Sequence, residues 1–324
     1  MAAMSATQAA PSAAAQPPGW QASASLRFSE RDGITHHQGG ATAPLKLMRA
    51  FAQASGHCEL PLLHTAGGLV GGDRLLVKAE LESRSRALIT SVAAQKVYGS
   101  VRRSRCHPQG RWAQQQLAFQ LAEGSDLEWL PQELVLYADA LYQQDLEVTL
   151  ADNASFLAME VVRLGRTAAG EGLDAGCWRS SLQIRRAGSS GQSPHWELVD
   201  RLQLDGEALT GEHGMAGQPV FGSLVWAAPQ PLAAETLQQL LSEARAARSN
   251  LEGTMACGAL EQGLVARYRG PSSQDARYWF CRLWGLIRQA RGQAPPELPR
   301  VWPFQEDPWA TGPSNSRLSA NGSI

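Results

Sequence analysis

The stretch Leu63-His64-Thr65-Ala66-Gly67-Gly68-Leu69-Val70-Gly71-Gly72-Asp73 holds the most unusual spacing in this chain. Gly67, Gly68, Gly71 and Gly72 crowd into one short loop. Glycine at that density marks positive φ, tight turns, or close approach of a ligand or another chain segment. One chemistry such a loop performs is cradling a phosphate. The companions of a phosphate loop are missing here. No Lys-Ser or Lys-Thr follows, and a dinucleotide fingerprint would need glycine at position 66, where Ala66 stands. Asp73 would also repel a phosphate. The other reading is a glycine-rich turn between strands, capped by an Asx turn at Asp73. Spacing alone leaves open both this turn and a nucleotide-binding enzyme using the Gly67–Asp73 loop.

Three further stretches place polar groups beside chain bends. Thr90-Ser91-Val92-Ala93-Ala94-Gln95-Lys96-Val97-Tyr98 brings Lys96 near Tyr98, a proton-relay pair by type. The order and spacing are not those of a dehydrogenase, and a strand with alternating burial explains the pattern. Glu128-Trp129-Leu130-Pro131-Gln132-Glu133 is followed by Asp139, and Gly165-Arg166 by Gly170-Glu171. Carboxylates at such bends suit divalent metals, and they suit solvated turns equally well.

Other catalytic chemistries find no support. The seven histidines include the adjacent pair His36-His37 and the pairs His57-Cys58 and Cys106-His107. Neighbours on a strand point to opposite faces, so such pairs do not chelate together without a turn. No four-ligand zinc spacing, nucleophile elbow, zinc-protease helix or catalytic-cysteine signature is present. The five cysteines are scattered and odd in number, which argues against a disulfide framework and for a reducing, cytoplasmic setting. Arg102, Arg103 and Arg105 form a short basic run best read as a solvated loop. A formal net charge of −1 provides no field favouring nucleic acid or an acidic membrane. No apolar run is long enough to span a bilayer.

The elements that must position these residues are mostly strands. Leu75–Leu81, Ala87–Ala93, Leu117–Leu121, Leu146–Leu150, Trp196–Leu204, Val220–Ala227 and Leu264–Tyr268 are apolar or alternating runs, as half-buried strands require. Short strands separated by turn residues predict an all-β stack, sandwich or barrel. No repeat of fixed length is visible. Two segments look helical. Pro231–Arg248 starts with a proline suited to a first turn. Ser272–Arg291 opens on a cap-like Ser272-x-x-Asp275 and carries a broad apolar face through Trp279, Phe280, Leu283 and Ile287. Gly188–Ser193 reads as a hairpin loop. Residues 1–22 and 301–324 have the composition of poorly ordered tails, leaving 23–300 as one β-rich body.

Taken in order, the four stretches resemble the UreD (UreH) family of urease accessory proteins. The glycine block follows the family's pattern through Leu63, His64, Gly67, Gly68, Val70, Gly72 and Asp73. The second stretch follows it at Ala93, Ala94, Lys96, Val97 and Tyr98, the third at Leu130 to Glu133, and the fourth at Gly165, Arg166, Gly170 and Glu171. Thr90, Ser91 and Val92 depart from the family's usual Thr-Thr-Gln. The resemblance implies a mainly β fold of stacked sheets, arranged like a helical stack, with two α-helices near the C-terminus. It implies a scaffold without catalysis of its own, which with UreF and the GTPase UreG activates apo-urease by nickel insertion. Nickel(II) would be in transit, bound weakly at several carboxylates instead of being caged. Asp73, Glu133, Asp139, Glu160 and Glu171 are the expected lining acids. Trp279 and Trp284, on different sides of the last helix, are expected to offer a docking surface for a partner. An assembly protein that opens urease without touching nickel is the remaining alternative.

Overall fold

The computed structural model describes residues 19–188, 193–302 and 307–310. The outer parts of both expected tails and the centre of the Gly188–Ser193 loop lie outside these residues. In chain order the strands are β1 (Gln21–Arg31), β2 (Ile34–Ala41), β3 (Leu45–Leu47), β4 (Phe51–Ala52), β5 (Cys58–His64), β6 (Arg74–Leu81), β7 (Arg86–Ser91), β8 (Gln95–Val97) and β9 (Ala113–Leu121). They continue with β10 (Asp126–Leu130), β11 (Leu134–Leu136), β12 (Leu141–Leu150), β13 (Ser155–Leu164), β14 (Cys177–Arg186), β15 (His195–Leu204), β16 (Val220–Ala227), β17 (Thr254–Leu260) and β18 (Gly263–Gly270). The helices are α1 (Gly206–Thr210), α2 (Ala234–Ala246) and α3 (Ser273–Ala290).

From β6 to β14 the chain alternates between two sheets, with the short β8 and β11 following β7 and β10 in the second. One sheet runs β15-β14-β12-β9-β6-β1-β2, the other β17-β18-β16-β13-β10-β7-β5-β3. The inner strands of both stacks are parallel, and the antiparallel pairs lie toward the ends. This is the stacked-coil arrangement expected from the sequence. Facing residues stack in rows across the first sheet. Ala24, Val77, Leu117, Leu146 and Leu182 form one row, and Leu26, Ala79, Phe119, Val148 and Ile184 the next. The intervals along a row are unequal because the connecting loops differ in length, so no repeat shows in the sequence.

The second sheet is covered on both faces. Its Cys58, Leu60, Leu62, Leu127, Phe156 and Val162 pack with the first sheet. Leu88, Leu130, Leu157, Met159, Leu224 and Trp226 pack with α2 and α3. Three layers result: sheet, sheet, helices. The cap of α3 is the expected one, with the Ser272 hydroxyl accepting the Asp275 N–H at 3.1 Å.

Two expectations need correcting, and the last turn of α3 adds a contact not foreseen from the sequence. The strand read through Ala93 stops at Ser91, and β8 resumes only at Gln95. The last-turn arginines of α3 take acidic partners from the second sheet. Arg288 is wholly buried and pairs with Glu128 of β10 at 2.5 Å, while Arg291 pairs with buried Asp126 at 2.9 Å. Trp279 and Trp284 are both wholly buried and present no docking surface. Their indole N–H groups donate to Ala244 O and Glu128 Oε1, because α2 closes one side of the helix and the sheet the other.

Candidate functional site

The apolar rows between the two sheets fail at one end. The row that begins with inward-facing Ala22 and Leu75 continues as Gln115, Gln144 and Ser180. The facing sheet supplies Glu160 from β13 and His64 from β5, which share the inward parity of Phe156 and Leu62. Together with Tyr142, Gln95 and Gln132 they line a chamber of about 70 Å³. At a liquid share of roughly 30 Å³ per water, that volume holds about two molecules. The lining is mixed: Leu62, Leu75, Val77 and Leu134 stand beside the polar groups, and those polar groups give such water its partners.

A hydrogen-bonded chain runs along its wall. Tyr142 Oη donates to Gln115 Oε1 at 2.8 Å, and Gln144 Nε2 donates to Glu160 Oε1 at 2.5 Å. Burial pushes the Glu160 carboxyl up to about 7; the Gln144 bond and nearby Arg267 pull it down, and Asp200 raises it. Arg267 of β18 reaches Ser223 and Asp200, tying the second sheet to the β15 edge of the first. Glu160 is thus a half-buried carboxylate close to its midpoint at neutral pH. A cation entering the chamber can displace its proton.

Beside the chamber, the loops after β5, β8, β11 and β13 stack on one another and bring the four sequence stretches together. Leu69 N–H donates to Lys96 O, Tyr98 N–H to Leu69 O, Tyr137 N–H to Val97 O, and Gly165 N–H to Leu136 O. Tyr98 donates to Gly67 O at 3.3 Å and meets Tyr137 edge-on at 5.0 Å. Arg166 lies 4.7 Å over Tyr137 and holds the Glu171 carboxylate with both arms, which lowers that carboxyl. Gly165 and Gly170 take positive φ at either end of the short turn over 167–169. The glycine block is shaped by close packing within the chain. A Cβ on Gly68 would lie 2.6 Å from the Tyr98 ring, and one on Gly71 would lie 2.2 Å from Ser100 Oγ. A Cβ on Gly72 would lie 2.4 Å from the Arg111 guanidinium, so the chain itself fills the space beside this loop.

The five expected acids take separate positions. Glu160 lines the chamber. Asp73 is buried, but its oxygens accept the Trp20 and Val70 N–H groups, each at 2.8 Å. It therefore closes the loop by reaching backward, where an Asx turn would reach forward. Glu133 lies 4.0 Å from Arg277, Asp139 pairs with Arg103 at 3.4 Å, and Glu171 pairs with Arg166. Asp139, Arg166 and Glu171 meet with Gly67, Lys96 and Tyr98 on the loop face, away from the Glu160 carboxylate. Of the departing trio, Thr90 turns to the helix layer and bonds the Trp302 indole at 2.7 Å. Ser91 lines the chamber and accepts the Gln132 N–H.

His64, Gln115, Tyr142 and Gln144 were not among the residues expected to act. One signal for the glutamines was present. Extending the alternation of Leu117–Leu121 and Leu146–Leu150 back by one inward position reaches Gln115 and Gln144, where an apolar residue is due.

Comparison with known proteins agrees with this architecture. The family described as UreD urease accessory protein matches residues 21–303. A urease accessory protein UreD of Synechococcus sp. (strain CC9902) is 61% identical over 289 residues, covering 89% of this chain and 92% of that protein. The protein of that name from Parasynechococcus marenigrum (strain WH8102) is 59% identical over 300 residues, 93% of this chain and 96% of the relative. One from Prochlorococcus marinus (strain MIT 9303) is 59% identical over 274 residues, covering 85% and 91%. With a match spanning both sheets and the helix layer, the chain belongs to the UreD family of urease accessory proteins, an accessory and not a catalytic family.

Proposed function

We propose that this protein is a scaffold and nickel conduit in cytoplasmic urease maturation. It works with UreF and the GTPase UreG to load nickel(II) into apo-urease, and it holds no cofactor of its own. The observation that supports this most is the cluster of amides and a carboxylate, Gln115, Gln144 and Glu160, lining a chamber inside an otherwise apolar stack. A conduit must bind its ion weakly enough to release it. One ionisable carboxylate among amides and water does that, whereas a thiolate-histidine cage would trap nickel near the top of the divalent affinity order. Among the described residues, no group of three or more His, Cys, Asp or Glu is placed to hold a metal. Glu160 is the contact within the chamber. Asp73, Glu133, Asp139 and Glu171 act at its surroundings, where they order the loops through which an ion would be handed over.

The test is reconstitution of apo-urease activation with UreF, UreG, nickel(II) and GTP. Glu160→Gln, which keeps shape and removes charge, is expected to lower activation about tenfold or more, in keeping with losses at metal-orienting groups. Glu171→Ala is expected to act more mildly. Full activation by Glu160→Gln, with the complex intact on gel filtration, would leave a scaffold that does not touch nickel.

A further inference from the structure

One polar atom beside the chamber makes no hydrogen bond within the protein. His64 closes β5, on the same face as Cys58, Leu60 and Leu62, and so turns toward the first sheet. Its Nε2 is buried and makes no hydrogen bond. Within the protein it has no partner, so it is left to meet whatever occupies the chamber, water or a cation. Burial lowers the His64 pKa, outweighing the upward pull of Asp73, so the imidazole is neutral at physiological pH. A neutral imidazole is a nitrogen ligand for borderline metals and a poor one for hard cations. His64 lines the same chamber as Glu160. The two stand on strands separated by β7 and β10. At about 4.8 Å per strand, three steps put them roughly 14 Å apart. They are therefore two separate positions on the chamber's lining, not one site.

We propose that His64 is the specificity-determining station of the chamber. Its Nε2 selects a borderline divalent cation such as nickel(II) over magnesium(II), while Glu160 supplies charge without selectivity. This inference rests on the conduit reading. It assigns the discrimination to one nitrogen at the β5 end, with water completing the ion's shell. A single imidazole binds weakly enough for the ion to move on.

The experiment uses the untagged full chain, with nickel(II) and magnesium(II) as probes in isothermal titration. It also uses X-ray absorption of the nickel-loaded protein to detect imidazole scattering. His64→Gln is expected to lower nickel affinity about tenfold or more, leave magnesium affinity unchanged, and remove the imidazole signature. Glu160→Gln is expected to weaken both cations and keep that signature. Should His64→Gln reduce thermal stability, His64→Asn is read in the same way. If Glu160→Gln weakens nickel binding while both His64 variants keep the wild-type nickel-to-magnesium ratio, the filter is disproved and the conduit stands. If none of the variants changes nickel binding, the conduit reading fails and the filter fails with it.

Discussion

At the scale of single residues, Glu160 makes the sharpest demand. Its carboxyl titrates near 7 in the folded protein against an ordinary 4.5, chiefly because it is buried. The folded state therefore holds a proton that the unfolded state has released across that interval. Stability must fall as pH rises from about 4.5 to about 7 and level off above, by at most roughly 3 kcal/mol from this group. Glu160→Gln should flatten that slope, which urea denaturation at about pH 5 and about pH 8 would reveal. A slope unchanged by the substitution would mean that the carboxyl is not held this way. The glycine block allows a cleaner comparison. Gly67 has φ of 75° and open space around its missing Cβ, so Gly67→Ala should cost about 1–2 kcal/mol of backbone strain alone. Gly68 adds the Tyr98 ring at 2.6 Å. Gly68→Ala should therefore cost more than Gly67→Ala, up to about 3 kcal/mol, in paired thermal melts.

At the scale of elements, α3 explains how two confident-looking features of a helix can mislead. Its apolar stripe was legible because a helical period is a local property of the sequence. Its polar positions were not, because their partners come from elsewhere. Arg282 donates to the carbonyls of Ala247, Ser249, Pro308 and Ala310, and Arg288 finds Glu128 across the sheet. The Glu128–Arg288 pair sits with side chains 1% and 0% exposed, so neither charge has water to fall back on. Glu128→Ala should lose roughly 3–5 kcal/mol in chemical denaturation. The double change Glu128→Leu with Arg288→Met should recover most of that loss, since an apolar pair removes both desolvation costs. A double variant as unstable as the single one would show that the pair does more than neutralise itself.

At the scale of the whole molecule, the chamber is a deliberate gap in a stack that could have closed. Each inward-facing row above it is apolar across the central strands, and Gln115 and Gln144 interrupt the exception. Gln115→Leu would extend the apolar surface and should leave the melting temperature unchanged or raise it by a few degrees. The same change should lower urease activation by drying the passage, the usual conflict between packing and function. Loss of both stability and activation would instead mark Gln115 as a structural residue.

The sequence by itself determined the class of fold and the family. Period-two alternation, a helical stripe and glycine-rich turns depend on neighbours a few positions apart, and those are read directly. It also placed the loop-face residues together in kind, since the motifs containing Gly67, Tyr98, Arg166 and Glu171 were recognised as a set. Tertiary structure alone decided which polar groups face inward together. Gln115, Gln144, Glu160 and His64 come from four strands in two sheets, and only the stacking of one strand on the next makes them walls of one space. The same stacking buried Trp279, Trp284 and Arg288. Whether a side chain is dry, paired or open depends on what lies across the layer, and no local pattern records that.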